Sequence, residues 1–437
     1  MVVELVQFRF NMKFEKTQLF AQDLDAQDHL KDFRKWFHFP KHNGKEAVYF
    51  LGNSLGLQPV STRLALAKVL EQWAEFGVES FFKGKDPWLD FHDKLVVKLS
   101  PIVGANPSEI SIMNQLTVNI HLMLASFYKP NGRRKKILIE SKAFPSDQYA
   151  IDSFLRMIGA DPNEILIELK STKGNEHIDD ADIIELISQQ GDEIALVFLG
   201  GVNYYTGQVF DMQGIANAAH KIGALVGFDL AHAVGNIKLE LHSWDVDFAC
   251  WCSYKYLNGG PGAMGAVFIN EKFHSDTSIN RLAGWWGNNA DNRFMMKREF
   301  EPAIDATGWQ LSTPSILLFA CLKASLSIFE HAGWDTLLVK QELMKKYLNY
   351  LIEDIIDSNS SVSIKCLTPD SRGCQVSLYF SENGKRIFES LTQKGFMVDW
   401  REPGVIRLAP VPLYNKFSEI WHFYEELKLI LQEIKNT

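Results

Sequence analysis

The chain has 437 residues, 46 % of them hydrophobic and 22 % charged, with a net charge of −8. That length suits two or three lobes around a large core, and the acidic balance argues against a nucleic-acid partner. The five cysteines are scattered without disulfide or metal-ligand spacing, and no apolar run is long enough to span a bilayer.

The N-terminus lacks a basic segment followed by an apolar stretch, so the expectation is a cytoplasmic protein with neither signal nor anchor. The one dense basic run, Arg133-Arg134-Lys135-Lys136, follows Pro130-Asn131-Gly132 and reads as a solvated turn before a strand.

Along the chain, residues 47–51 read as a strand and 59–77 as a helix with an apolar stripe of Leu64, Leu66, Val69, Leu70 and Trp73. Apolar runs at 136–140, 194–199, 225–229, 248–252 and 266–269 predict strands, with amphipathic stretches at 179–190 and 212–222 between them. Unbroken apolar strands interleaved with helices indicate an α/β domain with a mostly parallel sheet buried on both faces. Cys250 and Cys252 fall on one face of such a strand. From about residue 314 the pattern changes. Helices are expected to about 329, over 334–354 and over 417–433, with strands at 375–380, 396–400 and 405–408, as in a smaller α+β domain. The expected division is an N-terminal segment 1–60, a large domain 61–313 and a small domain 314–437. Ligands in such sheets bind beyond the carboxyl ends of the strands, and a cleft between lobes is their usual place.

Two short motifs mislead. Gly260-Pro261-Gly262-Ala263-Met264-Gly265 fits a dinucleotide fingerprint, but the residues after it are strand-like, whereas the fingerprint must open a helix. Gly52-Asn53-Ser54-Leu55-Gly56 fits a nucleophile elbow, but Gly56 and Pro59 postpone the helix that must begin at the serine.

The informative stretch runs from Gly227 to Gly265. It places Asp229 at the end of one buried strand and Lys255 just past the next, on the same edge of the sheet. Pyridoxal phosphate (PLP) chemistry needs this pair. A lysine amine condenses with the cofactor's aldehyde, and a carboxylate keeps the pyridine nitrogen protonated so the ring can accept electrons. Hydroxyls and backbone N–H groups must hold the phosphate, for which Thr117, Ser253 and Tyr254 are candidates, and Phe144 or Trp285 could stack on the ring. By spacing alone, the same Asp and Lys also fit a surface ion pair, and His232 fits a turn cap.

These residues lie in longer blocks. GFDLAHAVGN (227–236) and WCSYKYLN (251–258) resemble the signature of the kynureninase family, fold-type-I PLP enzymes of the class V aminotransferase superfamily. FLGNSLGL (50–57), MNQLTVN (113–119), FPSDQYA (144–150), YYTGQ (204–208), GWWG (284–287) and RLAPVPL (407–413) are similar too, so the resemblance covers nearly the whole chain. It implies hydrolysis of L-kynurenine or its 3-hydroxy form between Cβ and Cγ, giving alanine and the matching anthranilate, in tryptophan catabolism and NAD biosynthesis. It also implies a homodimer with sites at the subunit interface.

Position by position, the resemblance makes Lys255 the cofactor lysine and α-proton base, Asp229 the partner of the pyridine nitrogen with His232 beside it, and Tyr254 a phosphate contact and acid. Leu116 and Thr117 fall at the phosphate end. Phe144 stacks on the ring, and Pro145, Ser146 and Asp147 continue the lining. Trp285 and Thr313 reach the phosphate from the other subunit. Arg407 clamps the substrate's α-carboxylate, and Ser54, Phe81 and Ser312 border the substrate. Three positions depart from the family's usual pattern: Gly200 stands where Ser or Thr is common, Thr313 where some members have Asn, and Phe81 where animal members often have His. Two other activities fit parts of the sequence. A cysteine desulfurase of the same superfamily needs a mobile nucleophilic cysteine, and a serine hydrolase would use Ser54. A non-catalytic scaffold is a further reading.

Overall fold

The computed structural model describes residues 13–171, 176–359, 362–370 and 372–436. They form two compact units. One comprises residues 62–204 and 208–326; the other comprises the chain up to Ser61, residues 205–207 and the chain from Ser327 onward.

The first unit is built on a seven-stranded sheet. In spatial order its strands are Ile110–Ile112, Gly265–Ile269, Phe248–Cys252, Leu225–Asp229, Ile194–Gly200, Lys136–Glu140 and Leu166–Leu169. Gly265–Ile269 pairs antiparallel with both neighbours and the remaining pairings are parallel. The carboxyl ends of the other six strands therefore share one edge. The central strands are buried throughout, as a sheet covered on both faces requires. The glycine-rich segment 260–265 is the turn between two antiparallel strands, with positive φ at Gly260 and Gly262, and it opens no helix.

Packing fixes the two strands that matter most. Phe248 stacks between Phe127 (4.7 Å between ring centroids) and Phe198 (6.0 Å). Gly227, in register with Phe248, has no room for a side chain, because a Cβ there would meet that ring at 2.1 Å. Burying each such ring stabilises the unit by about 2–3 kcal/mol, and the bare backbone at 227 lets Leu225–Asp229 lie close against its neighbour. Cys250 and Cys252 are buried free thiols in the next strand. The basic run forms the expected turn. Asn131 and Arg134 bridge across it, and Arg134 donates to the carbonyls of Ile194 and Ile222, both at 2.6 Å.

The second unit packs helices Gln18–Ala26, Trp334–Ser358, Gly384–Gln393 and Phe417–Lys435 around a four-stranded antiparallel sheet, in the order Ile364–Cys366, Val376–Phe380, Val405–Leu408 and Asp399–Arg401. The strand expected over 396–400 is two strands. Phe396–Met397 pairs with Val48–Tyr49, while Asp399–Arg401 joins the four-stranded sheet, and the buried Val398 lies between them. The stretch 47–51 is likewise shorter than expected, with Leu51 making an isolated bridge to Ala409. Past Ser54 the chain passes through the short strand Gln58–Pro59, and helix Thr62–Phe76 starts only after it, so no elbow forms.

Candidate active site

The site is assembled at the carboxyl edge of the seven-stranded sheet. Asp229 ends its strand, and its Oδ1 accepts the N–H of Ala231 at 2.7 Å. The following turn presents His232, whose carbonyl accepts from Asn236 Nδ2 at 2.7 Å. Strand Phe248–Cys252 leads into Ser253-Tyr254-Lys255, and the chain folds back at once: Asn258 N–H donates to Lys255 O at 2.9 Å and Gly259 N–H to Ser253 O at 2.8 Å. This turn directs the Lys255 side chain inward, where it is 9 % exposed and Nζ stands 2.8 Å from His232 Nε2. Lys255 Nζ also lies 5.9 Å from the centre of the Phe144 ring.

Three carboxyls share this corner. Burial raises Asp229, offset by a hydrogen bond from Asp147 and by the Lys255 charge. Burial and the Asp229 charge push Asp147 well above the ordinary carboxylate range, which favours its protonated form as the donor in the hydrogen bond to Asp229. Glu140, at the end of the strand beyond Ile194–Gly200, is pushed up to about 7 by burial. Burial also raises the Tyr254 phenol, with Cys252 adding to the effect, which keeps the hydroxyl protonated.

Next to this corner two helices begin. Leu116–Phe127 has Gln115 at its start without a side-chain cap, and Pro145–Met157 starts immediately after Phe144. Thr117 Oγ1 and Ser146 Oγ are 2.8 Å apart, which brings both starts together. Uncapped N–H groups, two helix dipoles and two hydroxyls make an anion cradle.

These features suit PLP. The buried amine is available to the aldehyde, the half-exposed Phe144 ring offers a stacking face, and the helix starts offer a phosphate seat. Asp147 Oδ1 and Ser253 Oγ are buried without a hydrogen-bond partner among the described residues, so polar capacity remains at this edge. Lys255, Asp229, His232, Tyr254, Phe144, Pro145, Ser146, Asp147, Leu116 and Thr117 all fall at this edge. Gly200 is in register with Asp229.

Other expected residues lie elsewhere. Trp285 is 44 % exposed, Ser312 and Thr313 are also exposed, and no described contact joins these three to Lys255. Phe81 packs edge-on against Trp88 at 5.2 Å and leans on Trp286 at 6.1 Å, and Trp285 touches Trp286 at 5.7 Å, so 81 and 285 belong to one aromatic cluster. Ser54 and Arg407 belong to the second unit. Ser54 is exposed on its turn, while Arg407 is buried and paired with Asp399.

The sequence reading overlooked Glu140, Asn203 and Tyr204. Glu140 carried the same signal as Asp229, an acid closing an otherwise apolar buried strand. Tyr204 fell in the block 204–208 without a role of its own and Asn203 lay just before it, because their roles come from contacts to residues 60 and 63 positions earlier.

Residues 120–380 match the class V aminotransferase family model, and residues 338–427 match the kynureninase C-terminal domain. The chain is 48 % identical over 420 residues to kynureninase of Flavobacterium psychrophilum, covering 95 % of this chain and 99 % of that protein. It is 47 % identical to kynureninase of Christiangramia forsetii over the same shares. Among solved structures, it superposes on a cysteine desulfurase of Escherichia coli with a TM-score of 0.73 at 15 % identity, covering 93 % of this chain and 99 % of the other. A cystine C–S lyase carrying its PLP cofactor gives 0.71 at 17 % identity, covering 89 % and 96 %. At those identities the solved structures speak for the fold alone.

Proposed function

The chain belongs to the kynureninase family, and on that premise we propose which of its residues carry the reaction. It is a PLP-dependent hydrolase that cleaves kynurenine. The observation supporting the residue assignment is the convergence of a buried lysine, a histidine and a carboxyl pair at one sheet edge. Bound there, PLP supplies an aldehyde for an amine and a cationic ring that draws electron density from the attached amino acid.

Lys255 would hold the cofactor, with Asp229 keeping a proton on the ring nitrogen and Asp147 stabilising the Asp229 carboxylate. Phe144 would lie against the ring, flanked by Pro145. Thr117, Ser146 and the Leu116 N–H would take the phosphate. Gly200 and His232 would border the ring. Arg407 would pair with the substrate α-carboxylate through its planar fork, and Ser54 and Ser312 would line the substrate. Lys255 would also serve as the base that removes the proton at Cα. Water adds to the γ-carbonyl. As the Cβ–Cγ bond breaks, Tyr254 would return a proton to Cβ, giving alanine and an anthranilate.

We further propose a homodimer in which the partner completes the phosphate seat with Trp285 and Thr313. Trp73 (58 % exposed), Val78 (73 %) and Met296 (71 %) leave apolar surface on the sheet-bearing unit, which also carries the Phe82–Phe294–Trp285 ring contacts. Among the described residues no single helix is long and apolar enough to cross a membrane. A cytoplasmic place and a role in tryptophan catabolism and NAD biosynthesis fit the family.

The test is to incubate the PLP-loaded protein with L-kynurenine, 3-hydroxy-L-kynurenine and L-cysteine, measuring anthranilates, alanine and sulfide. Anthranilate and alanine in equal amounts are expected. Sulfide from cysteine without anthranilate would overturn the reading. The cysteines already weigh against a desulfurase, because burial raises every thiol, that of Cys374 to about 12.

A further inference from the structure

Glu140 is a buried acid that the reaction above does not use. Its strand neighbours Ile194–Gly200, which in turn lies beside Leu225–Asp229, so Glu140, Gly200 and Asp229 end three adjacent strands on one edge. Its two oxygens face different donors. Oε2 accepts from Asn203 Nδ2 at 2.9 Å, and Oε1 accepts the Gly200 N–H at 3.3 Å. The space between is full, since a Cβ at Gly200 would come within 2.8 Å of Glu140 Oε1.

The segment held this way, residues 200–204, touches two groups assigned to the cofactor. Gly201 N–H donates to the backbone carbonyl of Asp229 at 2.8 Å. Tyr204 meets the Phe144 ring edge-on, with centroids 5.2 Å apart at 81°. We propose that Glu140 is a positioning residue for the cofactor: it clamps the 200–204 turn, which sets both the carboxylate that faces the ring nitrogen and the aromatic ring that stacks on the cofactor. The proposal rests on the PLP reading of the site. Gln is a poor replacement, because it offers one oxygen where two donors converge, and its NH2 finds an acceptor only if the Asn203 amide turns round and gives up its present bond.

Glu140→Gln and Asn203→Ala test this from opposite ends of the bond, and Asn203 lies in a half-exposed turn where truncation leaves the sheet intact. The readouts are the dissociation constant of PLP from the apoprotein, the visible circular dichroism of the bound cofactor, and kcat and KM for kynurenine. Each variant should weaken PLP binding about tenfold, at least halve the dichroism, and lower kcat about tenfold with KM within twofold of wild type. The double variant should be no worse than the weaker single one, because both remove the same clamp. A role confined to folding would instead lower the apoprotein's thermal midpoint and leave the spectrum and kcat of the loaded enzyme alone; that result overturns the proposal, as does additivity. If wild type itself fails to bind PLP, the reading of the site falls.

Discussion

Lys255 Nζ and His232 Nε2 stand 2.8 Å apart on turns that leave two adjacent parallel strands, with Asp147 hydrogen-bonded to Asp229 at the same sheet edge. A buried lysine normally needs a carboxylate at close range. Here the hydrogen-bond partner is an imidazole nitrogen, and the Asp229 carboxylate acts through space, which leaves the amine available for bond formation.

Lys255→Ala should therefore lose kynurenine hydrolysis by roughly a thousandfold or more, because nucleophile and base disappear together. Borohydride reduction of the loaded wild type followed by peptide mass analysis should place the cofactor's mass on the peptide containing residue 255. Near-normal product formation by the alanine variant would refute the assignment.

Glu140 gives the fold a pH dependence of known sign. Its carboxyl is pushed from 4.5 to about 7 by burial first, against the hydrogen bonds from Asn203 and Gly200, with the Asp229 charge adding to the rise. The folded state thus holds a proton that the unfolded chain has released. The contribution is fully present below about pH 4.5, is lost as pH rises to about 7, and amounts to about 3 kcal/mol. Urea unfolding of the apoprotein at pH 5 and pH 8 should show wild type losing more stability than Glu140→Gln over that interval. Asp147 and Asp229 are present in both proteins, so the difference reports Glu140 together with its charge coupling to those two acids. Parallel losses would count against the assignment.

Arg407 and Asp399 face each other on adjacent antiparallel strands, and the arginine side chain is only 2 % exposed. Asp399 also takes Arg401 at 3.2 Å. Asp399→Ala leaves a buried guanidinium without its carboxylate and should cost about 3 kcal/mol of unfolding free energy. Adding Arg407→Met should restore most of that loss while abolishing saturable substrate binding. Chemical denaturation and KM measure the two effects separately, and an Asp399→Ala loss below about 0.5 kcal/mol would show the pair to be inconsequential.

Phe81 presents no polar atom to the aromatic cluster it shares with Trp88 and Trp286. Phe81→His should raise kcat/KM for 3-hydroxykynurenine relative to kynurenine by about fivefold, the worth of one net hydrogen bond. An unchanged ratio would remove Phe81 from the substrate pocket.

The sheet strands over 136–140, 194–200, 225–229 and 248–252 were legible in the sequence, because a strand buried on both faces writes itself as an unbroken apolar run. Asp229 and Lys255 were legible for the complementary reason: a charge that closes such a run must sit at the sheet edge. Short edge strands such as Ile110–Ile112 and Leu166–Leu169 left no comparable mark, and the break at Val398 depended on which neighbour each half could pair with.

Only the tertiary structure decided the rest. The hydrogen bond between Asp147 and Asp229, the grip of Glu140 on Asn203, and the edge-on contact of Tyr204 with Phe144 join residues tens of positions apart. Their chemistry comes from desolvation and from distances of a few ångströms, and neither exists until the strands are laid side by side.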